Sequence, residues 1–258
     1  FIKLAKIARE NKLKFISTPL DIRSAIFLNK IVDGFKISSG DNNYFELIKK
    51  VLSFKKYTII SLGLLNFKEI KKLVSFIKKQ KFPMSKLSLL HCVSAYPVKE
   101  SEANLKSILY LKKNFDISIG YSDHTIGNYA SFAATCLGAD ILEKHFTLNH
   151  NYSSFRDHQL SANPKEMKEL VVSIRKIQNM MGKFEKKISE TEKKNIKSLR
   201  RSIFAKEDIF KNQIITEKNV KIVRPQNGIE PKFINKIIGK KSKKKIFENN
   251  IIIKKLLI

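Results

Sequence analysis

Six apolar runs alternate with helix-length amphipathic segments over the first two thirds of the chain. The runs cover Lys14–Pro19, Gly34–Asp41, Tyr57–Gly63, Leu87–Pro97, Asp116–His124 and Ala139–Thr147. They are nearly continuous in apolar residues, which is typical of parallel strands that are buried on both faces. Their period of about 20–30 residues fits a repeated strand and helix. The pattern therefore predicts an α/β fold with six parallel strands.

Polar or small residues stand at the end of each predicted strand. They are Ser17 and Thr18, Lys36 with Ser38 and Ser39, Ser61, Ser94 and Tyr96, Ser122 to His124, and Glu143 to His145. Parallel α/β proteins bind ligands at the carboxyl ends of their strands. An open, doubly wound sheet also fits the repeat, but polar residues after all six strands favour a barrel with one shared mouth. Since a (β/α)₈ barrel has eight strands, we expect a TIM-type barrel that lacks its first two.

The pattern changes after the predicted helix that ends near Met181. Residues 183–199 are charged and almost free of large apolar side chains, so they are interpreted as a linker. Beyond them, short apolar pieces alternate with turns such as Pro225–Gly228, which predicts a small β-rich module. The expected organisation is a barrel domain over 1–182, the linker, and a second domain over 200–258.

The formal net charge of +28 raises the question of nucleic-acid binding. Only seven of the 51 basic residues are Arg, and the Lys residues are scattered along nearly every segment. Nucleic-acid-binding proteins concentrate their charge and use Arg for bidentate contacts, so no specific nucleic-acid partner is expected. No apolar run is long enough for a membrane span. Cys92 and Cys136 lie in apolar segments without a metal-binding spacing, and we expect buried thiols in a cytoplasmic protein.

Two histidines occupy equivalent positions, His124 at the end of the fifth predicted strand and His145 near the end of the sixth. Two parallel strands joined by a helix bring both strand ends to one rim. Imidazole is a ligand for zinc, manganese or iron, and Glu143 or Asp157 could complete or orient the set. Each histidine taken alone is more simply a hydrogen-bonded residue with no special task. The pair at matched strand ends favours a metal or catalytic site.

Several motifs, in order along the chain, resemble those of the sialic acid synthases. They are FKISSGD, HCVSAYP, GYSDHT, LEKHFTL and RDHQLSANPKEM in the barrel segment, and RRSIFAKEDI and VRPQNGI in the C-terminal segment. Members of that family are phosphoenolpyruvate-dependent nonulosonate synthases, with a TIM barrel followed by an antifreeze-like SAF domain of the β-clip type. The resemblance covers essentially the whole chain and implies the same architecture. The FRDH and SSGDNN segments are more similar to the legionaminate-type branch.

The resemblance also implies roles for residues at the barrel mouth. A divalent metal, manganese with magnesium as the alternative, would be held by His124 and His145. Asp157 would contact the acceptor sugar with Glu143 as a further candidate, and Arg224 would reach into the partner's site in a domain-swapped homodimer. The residues implied around phosphoenolpyruvate are Thr18, Lys36, Ser39, Ser61, Ser94, Tyr96 and Ser122.

The implied reaction joins carbon 3 of phosphoenolpyruvate to the aldehyde of an N-acetylated hexosamine, N-acetylmannosamine or a 2,4-diacetamido-trideoxy hexose. It gives a nine-carbon sialic acid-like sugar and phosphate. Two departures from the family bear on activity. Family members begin with two further strands that carry a glutamate and a lysine, and Leu62 stands where the family usually has a threonine. For the chain as given we therefore expect weak phosphoenolpyruvate binding and no turnover; the alternative function is a non-catalytic homologue that binds ligand or partner chains.

Overall fold

Six parallel strands form one sheet in the computed structural model, which describes residues 1–154 and 156–258. The strands are β1 (Ile16–Ser17), β2 (Gly34–Ile37), β3 (Tyr57–Ser61), β4 (Leu87–His91), β5 (Ser118–Asp123) and β6 (Leu142–Lys144). Each strand pairs with its neighbour in the sequence, so the order in the sheet follows the chain. A doubly wound sheet would reverse its order at a switch point, whereas a barrel adds every strand to the same edge. The prediction of a partial TIM barrel is confirmed.

Helices connect the strands and follow them. They are α1 (Ile2–Glu10), α2 (Ile22–Asn29), α3 (Phe45–Ser53), α4 (Phe67–Lys79), α5 (Ser107–Asn114), α6 (Tyr129–Cys136), α7 (Arg156–Leu160), α8 (Pro164–Met181) and α9 (Glu190–Leu199). Asp21, Asn66 and Asn163 each begin a helix with a capping box, at α2, α4 and α8 respectively. Such a cap typically contributes about 1 kcal/mol. Because these helices follow β1, β3 and β6, the caps fix where the loops at the carboxyl side of the sheet end.

The main core lies between the sheet and its helices. Phe35, Ile60 and Leu89 of the central strands are fully buried, in one apolar cluster with Leu47 of α3 and Ile77 of α4. Strands buried in this way require the near-continuous apolar runs seen in the sequence. Packing in this core therefore fixes the strands, and with them the polar residues at their ends.

The residues after Gly182 form a second compact unit, Lys183–Ile258. In it β7 (Ser202–Ala205) and β8 (Val220–Val223) pair antiparallel, as expected for a small β-rich domain. Its core is its own and includes Ile203, Ile209, Ile215, Ile246 and Ile252. The predicted linker 183–199 contains α9, which has no buried residue. The boundary at residue 200 between the linker and the second domain stays a prediction.

Two details differ from expectation. The strands are shorter than the apolar runs, because a run such as Leu87–Pro97 leaves the ladder at His91 and continues as the loop that lines the mouth. Cys92 is buried as expected, but Cys136 is exposed because it is the last residue of α6. Within the described ranges, the helices include none with the length and apolar character needed to span a bilayer.

Candidate active site

A cavity of about 740 Å³ lies at the carboxyl ends of the strands. The predicted site residues that line it are Thr18, Lys36, Ser39, Ser61, Tyr96, Ser122, His124, Glu143 and His145. Apolar residues of α8, among them Leu170 and Ile174, complete the wall. The structure therefore brings most of the predicted residues together, because a parallel sheet in sequential order turns all its carboxyl ends to one side.

Lys36 and Glu143 form an ion pair between β2 and β6. Lys36 Nζ lies 2.8 Å from Glu143 Oε1, and Ser122 Oγ of β5 donates a hydrogen bond to the same oxygen at 2.7 Å. In a flat sheet, strands four positions apart would be separated by about 19 Å. The direct contact between their side chains therefore requires the sheet to curl as a barrel does.

The environment of Glu143 favours its ionised form. Burial alone would raise the pKa of this carboxyl, but the charge of Lys36 and the hydrogen bonds from Lys36 and Ser122 outweigh burial and lower it. Glu143 is therefore a carboxylate at neutral pH. A cation and a carboxylate at one wall of a cavity can bind an anion and accept a proton.

His124 and His145 face each other with their ring centroids 5.4 Å apart. His124 Nδ1 donates a hydrogen bond to the carbonyl oxygen of Val93 at 2.8 Å, which leaves the lone pair on Nε2. Burial, with the nearby charge of His145, lowers the pKa of His124 despite the opposing effect of the Val93 carbonyl. The ring of Tyr96 packs against both, at 4.3 Å from His124 and 5.8 Å from His145. The His124 imidazole is therefore neutral and fixed in orientation.

These two histidines fit a metal centre with two protein ligands. A neutral imidazole whose other nitrogen donates to a carbonyl is a common metal-ligand arrangement. Over residues 1–154 and 156–258, however, no three His, Cys, Asp or Glu side chains come together as a metal site. Glu143 pairs with Lys36, and a role of Glu143 or Asp157 in completing or orienting the set stays a prediction. Further ligands would come from water or substrate, as in catalytic sites that keep positions open.

Hydroxyl groups near the ends of β3 and β4 are buried without a partner. Ser61 Oγ and Ser94 Oγ make no hydrogen bond with any described residue. Ser39 Oγ lies beside them, 3.2 Å from Cys92 Sγ, and a Cβ on Gly63 would collide with the hydroxyls of Ser39 and Ser94. A buried hydroxyl without a partner is unfavourable by about 1–3 kcal/mol. Oxygen atoms of a bound anion would satisfy these donors.

Sequence reasoning gave no role to three polar residues near the site, although Asp123 and Lys144 fall within the polar strand ends named above. Asn42 Nδ2 donates to the carbonyl oxygens of Ser61 at 3.1 Å and Gly63 at 2.8 Å, which fixes the turn after β3. Asp123 and Lys144 form an ion pair at 3.1 Å with side chains that are 0% and 3% exposed. Each of these two stands between predicted site residues, so alternation along a strand directs its side chain toward the opposite face, although Lys144 still borders the cavity. This alternation is the sequence signal from which a buried position for these two residues could have been predicted.

Three predicted residues do not line the cavity: Ser94, whose buried hydroxyl is described above, Asp157 and Arg224. Asp157 lies in α7 close enough that its charge, after burial and Cys92, helps to raise the pKa of Tyr96. Arg224 belongs to the C-terminal unit, where it is exposed and donates through Nε to the carbonyl oxygen of Leu199 at 2.7 Å. Its contribution to a partner's site stays a prediction.

Known proteins resemble both parts of the chain. Residues 1–186 match the NeuB family, and residues 200–257 match the SAF domain. N,N'-diacetyllegionaminic acid synthase of Campylobacter jejuni is 40% identical over 246 residues, 95% of this chain and 73% of that protein. Pseudaminic acid synthase of the same species is 34% identical over 245 residues, 95% and 70% of the two chains. The crystal structure of N-acetylneuraminic acid synthetase from Leptospira borgpetersenii superposes with a TM-score of 0.71 at 34% identity, over 76% of this chain and 68% of that one.

Proposed function

From the premise that this chain belongs to the NeuB family of sialic acid synthases and carries a SAF domain, we propose that it joins phosphoenolpyruvate to an N-acetylated hexosamine. The acceptor is N-acetylmannosamine or a 2,4-diacetamido-trideoxy hexose, and the products are a nine-carbon sialic acid-like sugar and phosphate. One observation carries the proposal: a cation, a carboxylate, two imidazoles and an unpaired hydroxyl face one cavity. The reaction is assigned to the cytoplasm, which the two free thiols support.

The anionic groups of phosphoenolpyruvate bind where positive charge meets hydroxyl donors. Lys36 supplies the charge, since it lines the cavity and is paired there with the Glu143 carboxylate. The donors around it are Thr18, Ser39, Ser61, Ser94, Tyr96 and Ser122. Charge-assisted hydrogen bonds are roughly twice as strong as neutral ones, so this set discriminates in favour of phosphate and carboxylate.

A divalent metal, manganese with magnesium as the alternative, is assigned to His124 and His145. The fixed, neutral imidazole of His124 and the position of His145 beside it support this assignment. A metal bound there supplies Lewis-acid polarisation of the aldehyde oxygen. The histidines themselves orient the reacting end of the acceptor next to the phosphoenolpyruvate.

The bond changes are those of a condensation with carbon–oxygen cleavage. Carbon 3 of phosphoenolpyruvate bonds to the aldehyde carbon, a water oxygen adds at carbon 2, and the bond from carbon 2 to the phosphate oxygen breaks. The water gives up two protons. One leaves with the phosphate as carbon 2 becomes a carbonyl, and the former aldehyde oxygen gains the other. We propose that the Glu143 carboxylate binds that proton transiently and that Asp157 contacts the acceptor. Positioning and preorganised charge supply most of the acceleration.

The direct test is release of phosphate from phosphoenolpyruvate in the presence of manganese and each candidate acceptor in turn. Because the chain as given is expected not to turn over, the test uses the chain fused to the two amino-terminal strands that family members carry. In that fusion we expect release that depends on both acceptor and metal, and the better of the two sugars identifies the acceptor class. Binding of phosphoenolpyruvate with no acceptor-dependent release would overturn the proposal in favour of a non-catalytic, ligand-binding homologue.

The metal assignment has its own test. His124→Ala and His145→Ala should each lower manganese affinity by at least about tenfold, since each removes one of two protein ligands. His91→Gln is the control, because His91 binds the carbonyl of Ala103 and does not line the cavity. Unchanged manganese affinity in both alanine variants would refute the assignment.

We further propose a homodimer in which Arg224 of each chain serves the site of its partner. The exposed guanidinium and the mostly exposed segment 183–199 that precedes its domain support this. Arg224→Ala and His145→Ala chains, each inactive alone, are mixed and the mixed dimers isolated. One of their two sites then has both residues intact, so activity should partly return. No recovery in proven mixed dimers would contradict the exchange.

A further inference from the structure

A buried ion pair lies directly behind the two histidines. Asp123 and Lys144 are opposite each other in the register of β5 and β6, and each immediately precedes one histidine in the sequence. Their charged atoms are 3.1 Å apart, and their side chains are 0% and 3% exposed. The neighbouring pair, Ser122 and Glu143, faces the cavity instead. Charge is therefore placed on both faces of these two strands. Ser122 and Glu143 line the cavity, and of the buried pair Lys144 borders it while Asp123 does not.

Asp123 is bound from three different elements. Its Oδ1 accepts from the backbone nitrogen of Thr125 at 2.9 Å and from the Thr125 hydroxyl at 2.7 Å. Its Oδ2 accepts from the hydroxyl of Ser131 in α6 at 2.6 Å, in addition to Lys144. Lys144 Nζ in turn donates to the carbonyl oxygen of Thr125 at 2.6 Å. The cluster thus ties together the end of β5, the loop after it, α6 and the end of β6.

The cluster begins where backbone pairing ends. The register of β5 and β6 runs only from Tyr121 with Leu142 to Asp123 with Lys144. His124 and His145 come after the last paired residues, so no ladder hydrogen bond fixes the distance between them. The ion pair and the hydrogen bond from Lys144 to the Thr125 carbonyl link the two segments there, while the carbonyl oxygens of His124 and His145 accept from the backbone of Val98 and Ala162.

Stability alone does not account for such a pair. Desolvation of two charges offsets much of their attraction, and replacement of a buried pair by neutral residues of similar volume is often neutral or stabilising. We propose that Asp123 and Lys144 are positioning residues that set the separation of His124 and His145, and hence the geometry of the reacting end of the site. The expected effect of this pair on catalysis rests on the proposed function, whereas its expected effect on the separation of the two histidines does not.

The test compares two double variants. One carries Asp123→Asn together with Lys144→Met, and the matched control carries Lys112→Met together with Asp140→Asn. The control removes an ion pair near the other end of the same strands, at 3.1 Å and partly exposed. In the metal-free protein with labelled histidines, the NOE between the ring protons of His124 and His145 should weaken in the first variant and stay unchanged in the control. A shift of about 1 Å predicts a fall in kcat of about a hundredfold, with little change in KM for phosphoenolpyruvate because Lys36 is not displaced.

Equal denaturation midpoints for the first variant and the unaltered protein, together with the weakened NOE, support positioning over stability. An unchanged NOE in a folded double variant overturns the inference, whether or not the protein turns over phosphoenolpyruvate. If the double variant does not fold, Ser131→Ala takes its place, because it removes one hydrogen bond to Asp123 and leaves both charges. It should weaken the same NOE to a smaller degree, and no change there overturns the inference.

Discussion

The amino and carboxyl ends of the same sheet each have a cavity and an ion pair, but the burial of the ion pairs differs. At the amino end, a cavity of about 850 Å³ is lined by Lys112, Phe115 and Asp140 and is larger than the 740 Å³ mouth. Its ion pair, Lys112 with Asp140, is 35% and 46% exposed. At the carboxyl end, the pair of Lys36 with Glu143 is 14% and 38% exposed. Volume alone would therefore point to the wrong end of the sheet.

What separates the two ends is which polar groups are left unsatisfied. Lysines near the amino end donate to backbone carbonyls: Lys112 binds Gly138, and Lys56 binds Asn29 and Val32. These contacts cap helix ends and loops, although the side-chain oxygen Oδ1 of Asn29 is itself buried without a partner among the described residues. At the carboxyl end, Ser61 and Ser94 have buried hydroxyls without partners among the described residues. We infer that the amino end contributes stability and the carboxyl end contributes chemistry.

The largest contrast is expected from the matched variants Lys36→Met and Lys112→Met. Loss of Lys36 removes a preorganised charge from the anion site and should lower kcat/KM by about 10²–10³-fold, as for other such groups. Loss of Lys112 removes a partly exposed pair, worth about 0–1 kcal/mol of stability, and should leave kcat/KM unchanged. Steady-state phosphate release and denaturant unfolding measure both. Equal losses of activity would contradict the division between the ends.

A smaller effect is expected at the turn after β3. In Gly63→Ala, the new methyl group meets the hydroxyls of Ser39 and Ser94, so KM for phosphoenolpyruvate should rise by about tenfold, or about 1.4 kcal/mol. Gly40→Ala is the control, because the closest atom to its Cβ is 3.8 Å away. Isothermal titration with phosphoenolpyruvate distinguishes the two. If both glycines tolerate alanine equally, these hydroxyls do not bind the anion.

At the amino end the expected effect is on folding. Lys56→Met removes two charged hydrogen bonds to the carbonyl oxygens of Asn29 and Val32 and should lower the free energy of unfolding by about 1–2 kcal/mol. The kcat should not change, since β2 and β3 keep their packing. Urea unfolding and phosphate release provide the two readouts. A fall in kcat without a fall in stability would reverse the interpretation of this end.

The smallest expected effect is on the stability of the protein at low pH. The pKa of Glu143 is lower in the folded protein than the ordinary value of about 4.3, so its contribution to stability is present above that pH and is lost as the pH falls through the folded pKa. Glu143→Gln should therefore give a shallower decline of unfolding free energy between about pH 5 and 3. Glu46→Gln, in exposed surface of α3, is the control and should follow the unaltered protein. Parallel curves for all three would contradict the lowered pKa.

Much of the fold follows from the sequence because its signals are local. Buried parallel strands need apolar runs, and helices need amphipathic segments, so six units and their order could be predicted. The polar ends of those runs predicted the residues of the mouth, including the pair of His124 and His145. The extent of each strand was not predictable, since β4 leaves the ladder at His91 for tertiary reasons.

Contacts between distant residues were harder to predict. The pairing of Lys36 with Glu143 depends on sheet curvature, and the burial of Asp123 with Lys144 depends on the packing of α6 behind β5. A sequence shows that these residues are charged but not that their charges meet. Whether Glu143 completes or orients a metal site stays a prediction; its pairing with Lys36 is what residue type could not show.

The most direct measurement is anomalous diffraction at the manganese edge from crystals grown with manganese and phosphoenolpyruvate. The account predicts one manganese peak between His124 and His145, with phosphate density contacting Lys36 and Ser61 in the carboxyl-end cavity. Manganese in the amino-end cavity beside Asp140, or phosphoenolpyruvate bound away from Lys36, would contradict the account.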